Sequence, residues 1–190
     1  MQTLKDEVKS KIMEAAVEEF LVDGYANSSL REIAAHAGIT IGNIYSYFSS
    51  KEDLFDQVVS PAWESLSTLM SMPMAERFKP EEIVEISERI TCAFVENKKR
   101  FFILLNGSNG TKYDNIRGRI EDFISLRFQR ESLRGSGGKF SDPLFAKALA
   151  AALFAGFVTV FSQYGGDDER LRKLVGELLS ALLGNLLGGE

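Results

Sequence analysis

Residues Leu30 to Phe48, LREIAAHAGITIGNIYSYF, constrain the fold more than any other stretch, because they read as two short helices joined by a tight glycine turn. Ser29 followed three residues later by Glu32 is a capping box, in which a hydroxyl and a carboxylate satisfy backbone donors that a helix start leaves unpaired. A helix therefore begins near Leu30, and Leu30, Ile33, Ala34 and Ala37 recur along it at helical spacing. Gly38 stops it, since glycine takes a left-handed conformation at no steric cost, and Ile39 folds back as an apolar plug. Thr40 restarts the chain as an N-cap, Ile44 and Phe48 point inward, and Ile41, Gly42, Asn43, Tyr45 and Ser46 lie on or near the outward face. The pattern is a helix-turn-helix.

An exposed helix face of Gly, Asn, Tyr and Ser suits contact with another molecule better than it suits solubility, which favours Lys and Glu. In helix-turn-helix proteins the second helix enters the DNA major groove, where asparagine pairs bidentately with adenine and hydroxyls meet phosphates.

The segment from about Val8 to Val59 resembles the DNA-binding domain of the TetR family of bacterial repressors. Phe20, Gly24 and Tyr25 close the first helix, Ser28 and Ser29 stand at a paired hydroxyl position, and Lys51, Asp53, Leu54 and Phe55 open the fourth helix. Carried over residue by residue, the resemblance implies that Ser28, Thr40, Tyr45, Ser46 and Lys51 hold phosphates and that Ile41, Gly42 and Asn43 face bases, with Ser29 and Tyr47 on the same surface. Ile41 departs from the family, where Lys or Arg is usual; an isoleucine makes only apolar contacts, such as one with a thymine methyl.

Bulk charge does not announce a nucleic-acid partner. The net charge is −5, and residues 1–51 hold five Lys or Arg against seven Asp or Glu. Those cations are Lys5, Lys9, Lys11, Arg31 and Lys51, so a modest salt slope and tight binding only as a dimer are expected. Cys92 is the single cysteine, which excludes an intramolecular disulfide and is expected to be a small buried hydrophobe. The N-terminus has no apolar signal-peptide core and no apolar run approaches membrane-spanning length, so a cytoplasmic protein without a membrane partner is expected.

Beyond Lys51 the chain reads as helices throughout. The fourth helix, Asp53 to about Met70, is expected to be interrupted at Pro61, where the lost donor and ring clash bend it. A loop at Met72, Pro73 and Met74 follows, then a helix from Glu81 to Asn97 with Ile83, Val84, Ile86, Ile90, Phe94 and Val95 as its apolar stripe. Next come a short helix at Phe101–Leu105, a loop over GSNGTKYDN, a helix from about Asn115 to Leu133 and a linker at Gly135–Gly138. Two final helices span Pro143 to about Tyr164 and Asp168 to about Leu187; the leucine stripe of the last, including Leu183, Leu186 and Leu187, is too wide for one neighbour. Pairing these two helices with their symmetry mates makes a four-helix dimer interface, which the resemblance also implies.

The fold class is thus all-α: residues 1–50 form a three-helix helix-turn-helix DNA-binding domain and residues 51–190 a helical effector-binding and dimerisation domain. The resemblance implies a small-molecule pocket in the second domain, with Trp63, Phe101, Phe102, Leu105, Tyr113, Phe123, Arg127 and Phe157 as candidate lining residues. Residues 98–134 hold nine Lys or Arg against four Asp or Glu, either a solvated face or a patch that attracts an anionic effector. No metalloprotease, nucleophile-elbow, paired-cysteine or dinucleotide motif appears, His36 stands alone inside the helix-turn-helix, and no enzyme activity, metal or cofactor is expected. The expectation is a homodimer that binds a palindromic double-stranded DNA operator and represses transcription until a small apolar or anionic effector binds. The alternative is that the second domain binds a protein partner.

Overall fold

The computed structural model of the chain describes residues 2–72, 80–134 and 142–184, with residues 2–4, 80, 82, 131–134, 183 and 184 described by their backbone alone. Among the described residues all regular structure is helical: α1 (Gln2–Asn27), α2 (Leu30–His36), α3 (Ile41–Tyr45), α4 (Lys51–Ser71), α5 (Pro80–Glu96), α6 (Lys98–Asn106), α7 (Ile116–Arg134), α8 (Pro143–Ser162) and α9 (Asp168–Leu179), followed by a π-helical turn at Ser180–Gly184. They form two compact units, Met1–Ser65 with Asn97–Ile116, and Leu66–Glu96 with Arg117–Glu190.

In the first unit α1 turns Ile12, Ala15, Ala16 and Phe20 inward at helical spacing and buries all four. At Gly24 (φ 68°, ψ 178°) the helical conformation breaks. The chain then turns so that the Tyr25 N–H donates to the Gly107 carbonyl at 2.7 Å. A Cβ on Gly24 would lie 3.2 Å from Gly107 Cα, so two glycines let α1 and the end of α6 approach closely. The loop after α6 satisfies itself: the buried Ser108 and Thr111 hydroxyls donate to the Leu104 and Ser108 carbonyls at 2.6 and 2.7 Å. An aromatic ladder joins the elements, with Phe20–Phe55, Tyr25–Phe55 and Trp63–Tyr113 ring centroids 5.0, 5.2 and 5.6 Å apart.

Packing does not divide the chain after residue 50. Leu54, Phe55, Val58 and Val59 of α4 are wholly buried in the unit that holds the helix-turn-helix. The expected interruption at Pro61 is absent: α4 is one helix from Lys51 to Ser71. Proline has no N–H for the Gln57 carbonyl four residues back, and the Ser60 hydroxyl donates to that carbonyl instead, at 3.4 Å. A serine beside the proline thus replaces the missing bond.

In the second unit α5 buries Ile83, Ser87, Thr91 and Phe94, whereas Val84 is 58% exposed and lies off the expected stripe. Cys92 is also exposed, contrary to its expected place in the core, because it shares the outward side of α5 with Glu85, Glu88 and Glu96. Phe94 stacks on Phe161 of α8 at 4.0 Å between centroids. Asp142 caps α8 by accepting the Leu144 N–H at 2.8 Å, and Asp167 caps α9 by accepting that of Arg170 at 2.9 Å. Gly156 of α8 faces the Leu178 side chain of α9, where a Cβ would meet it at 2.8 Å.

The final α-helix ends at Leu179, short of the expected Leu187, because the chain passes into the π turn. Pro73 and Met74, the linker Gly135–Gly138, and Leu186 and Leu187 lie outside the described residues, as does the side chain of Leu183. One expectation about apolar length is overturned. By length and composition α8 is apolar enough to cross a membrane, with a mean hydropathy of 2.0 and 33% of that stretch buried.

Candidate nucleic-acid interface

The helix-turn-helix is assembled by caps at three points. The Ser29 hydroxyl accepts the N–H groups of Arg31 and Glu32, both at 3.2 Å, which starts α2. Gly38 (φ 68°) ends it: the Gly38 N–H reaches the Ala35 carbonyl at 3.1 Å and the Ile39 N–H the Ala34 carbonyl at 3.0 Å, the paired bonds of a Schellman turn. Ser50 starts α4 by accepting the Asp53 N–H at 3.0 Å, while the Asp53 carboxylate accepts the Ser49 N–H at 2.8 Å. The bonds from Gln57 and Ser49 hold the Asp53 carboxyl below its ordinary range.

Between these caps sits the short helix α3. Ile44 and Phe48 are fully buried, which fixes its rotation and leaves Thr40, Ile41, Gly42, Asn43, Tyr45 and Ser46 exposed, with Tyr47 half-buried. Ile41 and Tyr45 are 42% and 58% exposed, a large apolar area for a surface that touches nothing. Thr40 occupies the N-cap position but makes no capping bond; its hydroxyl donates to Asn43 Oδ1 at 3.2 Å. That contact ties the two side chains together on the outward face. Gly42 has only Thr40 Oγ1 within reach of an added Cβ, at 3.8 Å, so internal packing does not demand glycine there. Its use in a helix suits the close approach of another body.

Two expected contact residues face inward. Ser28 is buried and its hydroxyl donates to the Tyr25 carbonyl at 3.0 Å, so it closes the turn after α1. Lys51 is half-buried: its ammonium donates to the Ser28 carbonyl at 2.7 Å and lies 4.6 Å from the Tyr25 ring centroid. Burial lowers its pKa, against the opposing pull of Glu19. Lys51 therefore clamps the turn that carries Ser28 and Ser29. Lys9 approaches from α1, with its ammonium 5.6 Å from the Phe48 ring.

Glu19 was not singled out by the sequence patterns, yet it completes the start of α2. Its Oε1 accepts the Ser29 N–H at 3.4 Å, the bond that a capping box assigns to Glu32, and Oε2 lies 3.7 Å from His36 Nδ1. The signal was its place on the inward stripe of Ile12 and Ala16, a carboxylate among apolar neighbours. Burial is the main reason its pKa lies above the ordinary 4.5, opposed by the Ser29 bond and reinforced by Glu32. The folded state therefore binds this proton more tightly than the unfolded state. The destabilisation from ionised Glu19 is present at neutral pH and is relieved as pH falls through the raised folded pKa towards 4.5. Glu19→Gln keeps an acceptor for Ser29, gives Glu32 a donor and removes the buried charge. It is expected to raise the melting temperature at pH 7 by roughly 2–4 °C, equivalent to ~1 kcal/mol, with the gain vanishing near pH 4. Thermal melts of both proteins from pH 4 to 8 check this; an equal gain at every pH refutes it.

The eight residues expected to line a pocket divide between the units. Trp63, Phe101, Phe102, Leu105 and Tyr113 belong to the first, Phe123, Arg127 and Phe157 to the second. Leu105, Tyr113 and Phe157 are buried and the other five half-buried.

A capped helix pair that rotates an uncharged polar face outward defines a DNA-binding helix-turn-helix protein. The family model for bacterial regulatory proteins of the tetR family matches residues 12–58. The chain is 34% identical over 161 residues to the HTH-type transcriptional repressor BepR of Brucella suis biovar 1 (strain 1330), covering 78% of this chain and 76% of that protein. It is 26% identical over 144 residues to IcaR, the biofilm operon icaADBC HTH-type negative transcriptional regulator of Staphylococcus aureus (strain Newman), covering 71% and 70%. The fold matches a TetR-family regulator from Streptomyces coelicolor A3 with a TM-score of 0.69 at 19% identity, over 92% of this chain and 90% of that one. It also matches one from Chloroflexus aurantiacus J-10-fl with a TM-score of 0.69 at 15% identity, over 95% and 93%.

The chain belongs to the TetR family of bacterial regulatory proteins. It is a helix-turn-helix transcriptional regulator and not an enzyme, in a family whose members bind DNA operators, typically as dimers, and are typically ligand-responsive repressors.

Proposed function

We propose that this protein is a cytoplasmic repressor that binds a palindromic operator as a homodimer and releases it when a small apolar or anionic effector binds. Residues 1–50 carry the DNA contacts, and residues 51–190 carry effector binding and dimerisation. The observation that supports this reading most is the rotation of α3. With Ile44 and Phe48 buried, Asn43 and Gly42 share an exposed face with Ile41, suited to base edges, while Thr40, Tyr45, Ser46 and Tyr47 lie beside them at phosphate reach and Ser29 holds the start of α2.

Dimerisation through α8 and α9 is supported by what those helices leave uncovered. On α8, Phe145, Ala148, Ala152, Ala155 and Thr159 recur every three or four residues, all exposed. On α9, Leu174 and Leu178 and then Leu182 of the π turn follow one another at four-residue intervals and stay half-buried. A twofold axis covers both stripes at once.

Footprinting of the DNA upstream of the protein's own gene tests the reading: a symmetrical protected site is expected, and an unprotected or one-sided footprint overturns it. Asn43→Ala is expected to cost ~1–3 kcal/mol per half-site, most strongly against the operator with its natural base opposite Asn43. Gel shifts at fixed salt against operator and scrambled duplex measure this. An equal loss on both duplexes would show that Asn43 meets only the backbone.

A further inference from the structure

Four exposed cations of the protein sit beside carboxylates. Lys112 meets Asp56 at 2.5 Å, Arg89 meets Glu85 at 2.7 Å, Lys147 meets Asp122 at 3.4 Å, and Lys99 pairs with Glu18. All four cations are more than half exposed, where such pairs contribute little. Arg127 of α7 differs on both counts. It is half-buried, and among the described residues no carboxylate lies within ion-pair distance of it. Its guanidinium carbon sits 4.5 Å from the Phe123 ring centroid, and one terminal N–H donates to the Met72 carbonyl, just past the end of α4. Burial, with Arg130 beside it, pushes its pKa down, so the surroundings disfavour a charge that arginine nevertheless keeps.

A desolvated cation facing another cation is relieved by an anion. The guanidinium has five N–H donors, and with one engaged by Met72 its fork retains enough for a bidentate carboxylate. Phe123 lies against the guanidinium and offers apolar surface next to it. One half-buried arginine matches one negative charge attached to an apolar body better than it matches a multiply charged anion.

We infer that Arg127 receives the carboxylate of an amphiphilic organic acid, an acyl or aryl carboxylate, as the head of the effector. This rests on the small-molecule reading above.

Calorimetric titration of the full-length protein with octanoate and benzoate, their neutral counterparts 1-octanol and benzyl alcohol, and inorganic phosphate tests the assignment. At least one acid is expected to bind tenfold or more tightly than its alcohol. Arg127→Gln is expected to bring that ratio to near one while leaving alcohol binding in place, and Arg127→Lys to give an intermediate ratio. Arg119→Gln, on an exposed arginine of the same helix, is expected to leave it unchanged. Melting curves without ligand show whether each variant folds; if Arg127→Gln does not, the Lys variant and the shrinkage of the wild-type ratio with added salt carry the test. Equal affinities for acid and alcohol, a preference that survives in Arg127→Gln, or phosphate binding as tight as the acids overturns the inference. Failure of this site alone leaves the alcohols bound. If neither acids nor alcohols bind or shift the melting temperature, the inference falls and the small-molecule reading falls with it.

Discussion

Gly24→Ala is expected to lower the melting temperature by roughly 5–10 °C. Two independent effects combine at this residue. Its φ of 68° with ψ of 178° lies in a region that side chains other than glycine's essentially do not enter, which costs ~1–3 kcal/mol. The added methyl would also sit 3.2 Å from Gly107 Cα and 3.4 Å from the Gly107 carbonyl oxygen, both backbone atoms that cannot rotate away. Gly107→Ala carries the second effect alone, meeting Ile103 O, Gly24 Cα and Phe20 O at 3.0, 3.1 and 3.2 Å. Gly110→Ala carries the first alone, since its φ is 81° and no atom lies within 4 Å. Thermal melts of the three variants separate strain from crowding. A Gly24→Ala loss no greater than that of Gly110→Ala would mean that the α1–α6 approach gives way at little cost.

The same glycine shows which parts of the structure could be read from sequence. Gly24 is visible as the end of a helix, yet its partner Gly107 is far along the chain and no local pattern links them. Features set by near neighbours were legible: the Ser29 cap, the Gly38 turn with Ile39 folding back, and the inward Ile44 and Phe48 follow from spacing and backbone sterics over a few residues. Features set by distant contacts were not. Glu32 has the spacing to bond the Ser29 N–H, but Glu19 on α1 reaches it. Ser28 and Lys51 carry groups suited to phosphate, but Tyr25 lies close enough to engage both. Pro61 has the chemistry of a helix breaker, yet α4 runs through it, with the Ser60 hydroxyl donating to the Gln57 carbonyl that proline leaves without an N–H. Of the candidate contact surface, the face of α3 was therefore readable, and the support beneath it was not.

Ala152→Glu is expected to abolish tight operator binding without unfolding the protomer. Ala152 is exposed on α8, so a glutamate there has room and water within one chain, and the melting temperature at low concentration is expected to change little. On the proposed twofold axis the same position is covered by the partner, and symmetry buries two carboxylates near each other. Removing a charge from water without a partner costs several kcal/mol per ion. That weakens the dimer by about a thousandfold or more, since every 1.4 kcal/mol is about tenfold in the dissociation constant. With few cations in residues 1–51, a single half-site has little electrostatic affinity to fall back on, so loss of the dimer is expected to remove the footprint and not merely weaken it. Lys173→Glu, on an exposed and already polar side of α9, serves as the charge-change control and is expected to leave the dimer intact. Sedimentation velocity and gel shifts on the same samples measure both steps. A dimeric Ala152→Glu protein that still protects its operator would show that the outward face of α8 is not where the two copies meet.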